Sequence, residues 1–254
     1  MTETDLRPAA GDLPRPDPLR PAETALFLDL DGTLAAIEAR PEHVVAHAGR
    51  TSLLARLGAA LDGRLAVISG RSLDDLDRIL DGSVIAAAGV HGLQRRRGDG
   101  VLTAAPAVAE IAGARRALAR SLPHAKGLIV EDKGLALAVH FRQAPSLAGA
   151  VAQTAQAVAA RYGLAVQPGD MVVELRPPGF DKGDAIEAFM TEPPFAGFTP
   201  VFVGDDLTDE NGFRAAAAFG GYGVLVGPTR KTLASRGLAG VDEVMAWLER
   251  ATQA

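Results

Sequence analysis

Asp29 and Asp31 stand two apart in FLDLDGTL, where an apolar run gives way to a glycine turn. On an extended strand, residues two apart project to one side. Two carboxylates would therefore face one place, and at close range they coexist only with a cation or a proton between them. A nucleophile, an acid–base partner and a hard divalent-ion ligand together need such an arrangement. Asp-Gly is also an ordinary turn dipeptide, and that reading competes. A second acidic cluster, Asp205, Asp206, Asp209 and Glu210 in VFVGDDLTDENGF, follows another apolar run. Acidic residues ahead of a helix serve as caps and dipole partners. Asp205 and Asp206, however, come directly after the run and would complete the oxygen set that Asp29 and Asp31 need to hold a divalent cation.

Ser69 and Arg71 in AVISGRS close a third apolar run. A hydroxyl there can donate to a phosphate oxygen and a guanidinium can grip one, although a Ser/Gly turn into a helix capped by Ser72 has the same letters. Lys182 in FDKGDAI falls at a helix start, a poor place for a cation unless an anion lies near, which suits a phosphate clamp. His43 and His47 have i,i+4 spacing, but no acidic third ligand follows at zinc-site distance. No Walker A pattern occurs, and the absence of cysteine excludes disulfides, thiolate zinc and a cysteine nucleophile. The RRR run at 95–97 reads as a solvated turn or hinge.

These residues need a scaffold, and 254 residues, 48% hydrophobic and 22% charged, suffice for one large globular domain or two modest ones. A net charge of -5 argues against a nucleic-acid partner and leaves small anionic substrates open. No stretch approaches the roughly 18 unbroken apolar residues of a membrane helix, and the start lacks the apolar core of a signal peptide. The expected location is the cytoplasm, with no membrane contact. Residues 1–23, with prolines at 8, 14, 16, 18 and 21, read as an extended or disordered leader.

From Thr24 onward, apolar runs at 25–32, 64–71, 83–92, 199–206 and 222–227 alternate with helical patterns near 50–62, 72–81, 182–190, 210–219 and 241–251. Near-continuous apolar runs are the mark of buried parallel strands, so the fold class is α/β with a parallel sheet. The middle breaks this rhythm: a helix near 106–121, two closely joined strands that must pair antiparallel, a helix at 146–162, and a second strand pair across a Pro-Gly-Asp turn. The pattern is an inserted α+β domain at 100–179, within a core of 24–99 and 180–254.

In order and spacing, DLDGTL, SGR, DKG and GDDLTDE resemble the four motifs of the haloacid dehalogenase (HAD) superfamily of phosphatases. GVHG (89–92), EDKG (131–134), VHFR (139–142) and ELRPPGFDKG (174–183) narrow the resemblance to the trehalose-6-phosphate phosphatases, whose insert is a C2-type cap on a Rossmann-like core. The resemblance implies Mg2+-dependent hydrolysis of trehalose 6-phosphate through an aspartyl-phosphate. Asp29 would be the nucleophile and Asp31 the acid–base group, with Thr33, Ser69 and Lys182 holding the phosphoryl group. Asp29, Asp31 through its backbone carbonyl and Asp205 would bind Mg2+, with Asp206 or Asp209 behind them. Arg71, His91 and Gly92 would meet the substrate from the core, and Glu131, Lys133 and Glu174 would grip sugar hydroxyls from the cap. Ala35-Ala36 departs from the Pro or Ser frequent after this motif. Another sugar phosphatase, acting on sucrose 6-phosphate or mannosyl-3-phosphoglycerate, shares the core motifs. So does a phosphomutase, while a non-catalytic sensor would be expected to have lost Asp29 or Asp31.

Overall fold

The computed structural model describes residues 13–105 and 109–253. The elements run β1 (Thr24–Leu28), α1 (Ala48–Ala60), β2 (Leu65–Ile68), α2 (Leu73–Leu80), β3 (Ala86–Gly89), β4 (Gln94–Arg96), β5 (Leu102–Ala104), α3 (Ala109–Ser121), β6 (Ile129–Asp132), β7 (Leu137–His140), α4 (Ala148–Tyr162), β8 (Ala165–Gly169), β9 (Val172–Arg176), α5 (Lys182–Met190), β10 (Thr199–Gly204), α6 (Glu210–Ala218), β11 (Tyr222–Val226), β12 (Arg236–Leu238) and α7 (Val241–Ala251). They form two compact units, one up to Thr103 and again from Asp181, the other Ala104–Phe180.

The first unit is an eight-stranded sheet in the order β12-β11-β10-β1-β2-β3-β4-β5. From β12 to β3 every pair is parallel, and β4 turns antiparallel on β3. The apolar runs are continuous because both faces are covered. Leu26, Leu28, Val67, Val201 and Val203 pack under α1, α2 and α7, while the alternate residues Phe27, Ala66, Ile68 and Phe202 pack against α5 and α6. The chain leaves β1 toward β2 and β3 on one side and returns as β10, β11 and β12 on the other. Strand order therefore reverses at β1, and in such sheets the crevice for a ligand opens beyond the carboxyl ends of the strands at that point.

The second unit is an antiparallel sheet, β6-β7-β9-β8. One face, through Leu137, Val139, Val173 and Leu175, packs on α3 and α4. The reversal expected at Pro-Gly-Asp falls one step later. β8 keeps pairing through Gly169, and Met171, at φ 57°, carries the left-handed step. The described helices include none long and apolar enough to cross a membrane.

Two expectations need correction. The RRR run is not a solvated turn: Gln94, Arg95 and Arg96 form β4. There Arg96 makes a two-bonded fork on Asp77 (2.6 and 2.7 Å), and Arg95 pairs with Glu192 and lies over the Phe189 ring. Two arginines can sit in this strand, and a third follow it, because each has a partner for its charge: Arg97 pairs with Asp99 and Glu192. The leader is described only from residue 13, and its expected disorder at 1–12 lies outside the described residues. From Leu13 on, the chain is ordered against the first unit. Leu19 is buried, Pro14 accepts from Gly237 N (3.0 Å), Arg15 pairs with Glu243, and Asp17 O accepts from Trp247 Nε1 (2.9 Å). β12 and the β4–β5 excursion were not read from the sequence; each is a three-residue strand.

Trp247, 1% exposed, both fills the core under α7 and ties down the leader. Trp247→Ala is expected to cost about 3–5 kcal/mol in urea unfolding, and Trp247→Phe, which removes the indole donor but keeps much of the ring, about 1 kcal/mol. Equal losses from the two would show that the tie to Asp17, not the packing, dominates.

Candidate active site

Three adjacent strands deliver a polar residue at the position after their last: Asp29 after β1, Asp205 after β10 and Ser69 after β2. Beyond Asp29 the chain curls tightly, with the amides of Thr33, Leu34 and Ala35 all donating to Leu30 O (3.3, 2.8 and 2.9 Å). Gly32 sits in this curl at φ +86°, and a Cβ there would lie 2.1 Å from Asp205 Oδ2. Glycine is thus the condition for the β1 loop and the β10 carboxylate to meet. Thr33 is fully buried and its hydroxyl has no partner among the described residues. Such a group is a donor for a ligand oxygen.

Lys182 is placed by a capping box. Asp181 accepts from Gly183 N (2.7 Å) and Asp184 N (3.1 Å), and Asp184 accepts from Asp181 N (2.7 Å). The Lys182 Nζ, buried, donates to Asp29 Oδ1 at 2.8 Å and to Asp209 Oδ1 at 2.6 Å. Burial works against the ammonium, but Asp209 and Asp29 hold its pKa above the ordinary value. Burial pushes the Asp29 carboxyl well up against the pull of Lys182, and Asp209 and Asp205 add to the rise. Asp205 is pushed up to about 7, by burial first and Asp209 second.

Asp29, Asp205 and Asp209 each offer an oxygen within 4.8 Å of the others. Three carboxylates thus share one ammonium. A divalent cation would correct that imbalance, and an all-oxygen set suits a hard one. Of the two residues expected behind the metal ligands, Asp206 turns to cap the next turn, accepting from Leu207 N (2.6 Å), and the buried Asp209 is the one that joins Asp29 and Asp205. The Asp31 side chain lies in a two-bonded fork with Arg71, Nε to Oδ2 and Nη2 to Oδ1 both at 2.7 Å. The acid–base candidate and a substrate-binding candidate thus hold each other.

Ser69 and His91 do come together. Ser69 Oγ accepts from Arg71 N (3.2 Å), His91 N donates to Ser69 O (3.0 Å), and Val90 N donates to Arg71 O (2.8 Å). Val90 and His91 are both left-handed, at φ 48° and 54°. For a buried β-branched residue this is a strained backbone held by its surroundings. The conformation lays the His91 imidazole over Gly70, where a Cβ would lie 2.6 Å from Nε2. Gly92 backs onto the Asp181 carbonyl and so abuts the cap of α5. The segment after the β1 loop is clasped by three guanidiniums: Arg71 on Pro41 O (2.9 Å), Arg78 on Val44 O (3.3 Å) and Arg50 on Val45 O (2.7 Å).

Glu210 joins no metal set. Fully buried, it pairs with Arg230 and accepts from Thr232 Oγ1 (2.8 Å) and Leu233 N (2.7 Å). Arg230 in turn donates to Asp206 O (2.7 Å) and fixes the acidic loop. The sequence reading missed Arg230. Its signal was a basic pair after a strand end, facing an acid too buried to stand alone. In the second unit, taken by itself, Lys133 pairs with Glu174, and His140 Nε2 lies 2.7 Å from Glu131 Oε2.

The trehalose-phosphatase family model matches residues 27–241. The chain belongs to the trehalose-phosphatase family. The phosphatase is 44% identical over 237 residues to trehalose-6-phosphate phosphatase of Escherichia coli (strain K12), covering 92% of this chain and 88% of that one. Its fold is similar to a solved trehalose-6-phosphate phosphatase related protein (26% identity, TM-score 0.74, 90% of this chain and 96% of that chain). It is also similar to a HAD superfamily phosphatase from Bacteroides thetaiotaomicron (16% identity, TM-score 0.63, 89% and 92%). The α/β fold is that of the HAD phosphatases, and the enzyme is a phosphoric monoester hydrolase.

Because the folded state keeps the Asp205 proton up to about pH 7 while an unfolded aspartate loses it near its ordinary 3.8, the native state is the greater proton binder between those values. Without a divalent cation, this group's share of stability must fall as pH rises through that window. Asp205→Asn is therefore expected to gain on the wild type in urea midpoint as pH rises from 4 to 7 in chelator, and a gap that shrinks would refute the assignment. Gly32→Ala, which forces the Asp205 carboxylate aside, is expected to weaken divalent-cation binding by about tenfold or more, measured by calorimetry.

Proposed function

We propose that the phosphatase hydrolyses trehalose 6-phosphate to trehalose and phosphate, with the first unit as catalytic core and the second as the cap that recognises the sugar. The observation that carries this reading is the buried Lys182 bridging Asp29 and Asp209, together with the buried Thr33 hydroxyl that has no partner among the described residues in the loop after Asp29. We assign Asp29 as nucleophile: its oxygen bonds to phosphorus as the bond to the sugar oxygen breaks, and Asp31 gives that oxygen a proton. Water then attacks phosphorus, Asp31 takes the proton, and the acyl-phosphate bond breaks to release phosphate.

Lys182, Thr33 and Ser69 hold phosphoryl oxygens and offset the repulsion between a carboxylate and a phosphate dianion. Asp29, Asp205 and Asp209 would hold Mg2+, which supplies further positive charge against those oxygens when bound. Asp31 must be free to give a proton in the first half of the reaction, and both its oxygens are engaged by the Arg71 fork. An arriving phosphate competes for that guanidinium, which ties release of Asp31 to substrate entry. Glu131, Lys133 and Glu174 are the candidate sugar contacts.

The test is phosphate release from trehalose 6-phosphate, sucrose 6-phosphate and glucose 6-phosphate, with Mg2+ or with EDTA. Trehalose 6-phosphate should be preferred strongly, EDTA should abolish turnover, and Asp29→Asn should lower kcat at least about a thousandfold in a folded protein. Preference for another ester would overturn the substrate; substantial turnover by the variant would overturn the nucleophile.

A further inference from the structure

In the second unit, α3 and α4 cover one face of the sheet, and alternation assigns the other face to a polar set. Glu131, Ala138, Glu174 and Gln167 stand in one register row across β6, β7, β9 and β8. His140 lies two residues along β7 from Ala138, on the same face. The opposite parity is occupied by Leu137, Val139, Val173 and Leu175, which bury against the helices, and by Asp132, which pairs with Arg115 of α3. Strands lie about 4.8 Å apart, so the two glutamates flank Ala138 with their backbones about 10 Å apart. Ala138 between them is fully buried, and Lys133 reaches across β7 from the β6 side to Glu174.

Each carboxylate meets a basic side chain. Lys133 pairs with Glu174, and His140 Nε2 meets Glu131 Oε2 at 2.7 Å. A carboxylate only accepts, so Nε2 carries the proton in this contact. His140 is 20% exposed at its side chain and Glu131 26%, so the pair is accessible yet constrained. Unpaired, a glutamate at a sheet surface samples several rotamers, and a hydroxyl ligand would have to order it at a cost in affinity.

We propose that His140 is a positioning residue for the sugar site: it fixes Glu131 by one oxygen so that the other is set to accept a sugar hydroxyl. This rests on the reading of Glu131 as a sugar contact. His140 does for Glu131 what Lys133 does for Glu174, and the two pairs together set the spacing of two acceptors on either side of Ala138. The ligand class this selects is a polyhydroxylated ring rather than a flat or apolar group, because two oriented carboxylate acceptors on one sheet face discriminate by hydroxyl placement.

The experiment measures KM and kcat for trehalose 6-phosphate and for p-nitrophenyl phosphate in full-length His140→Ala, His140→Gln, His140→Asn, Glu131→Ala and the double variant His140→Ala/Glu131→Ala. His140→Ala should raise KM for trehalose 6-phosphate about tenfold with little change in kcat, and by clearly less for the aryl ester. His140→Gln should recover most of the loss, because its amide nitrogen can occupy the position of Nε2; His140→Asn, one carbon shorter, should not. The double variant should be no worse than Glu131→Ala alone, since both remove one interaction. Equal KM changes on both substrates, failure of folded His140→Gln to recover, or additive losses in the double variant would each overturn the proposal. If Glu131→Ala itself leaves KM for trehalose 6-phosphate unchanged, the sugar-contact reading fails and the proposal with it; if only His140→Ala does so, the proposal fails alone.

Discussion

An ammonium with almost no access to water, bonded to two carboxylates, is the constraint from which the rest of the first unit can be derived. Lys182 starts α5, Asp29 follows β1 and Asp209 precedes α6, so one side chain ties together residues 27 and 153 positions away. A buried ion group of this kind survives only if every charge has its partner. The capping box on α5, the Asp206 amide on Asp209 and the Glu210–Arg230 pair behind it all serve that condition. A core made for stability alone would have filled this space with apolar side chains. Carboxylates held this way instead keep electrostatic energy available for an incoming phosphate and a cation.

The β1 reversal of strand order explains why such a cluster can form at all. Neighbouring parallel strands present their carboxyl ends side by side, and at β1 the loops diverge to opposite sides, leaving the ends of β10, β1 and β2 uncovered by their own connections. Asp205, Asp29 and Ser69 each follow such an end, so backbone topology has already converged them before any side-chain contact is made. The side chains then only refine distances.

Much of this was legible in the sequence because its signals are local. The apolar runs, the Asp-x-Asp spacing and the lysine at a helix start are readable within ten residues, and the family motifs tie them into one order. What escaped depends on partners far along the chain. Arg95 and Arg96 look solvated until Glu192 and Asp77 are brought to them by the fold, and the leader looks disordered until Trp247, 230 residues on, presents its indole to Asp17. Asp206 and Asp209 carry the same charge in one loop, and only the turn between them decides which faces inward. His140 carried no motif of its own within VHFR, and its link to Glu131 exists only through antiparallel register.

The clasp of Arg71, Arg78 and Arg50 on the segment 41–45 has one more consequence. All three guanidiniums take hold of main-chain carbonyls, which every amino acid supplies. The shape of that segment is thereby uncoupled from the identity of most of its side chains, while the three arginines carry the burden of keeping it. Sequence drift among relatives should accordingly be permissive along the clasped segment and restrictive at the residues that clasp it.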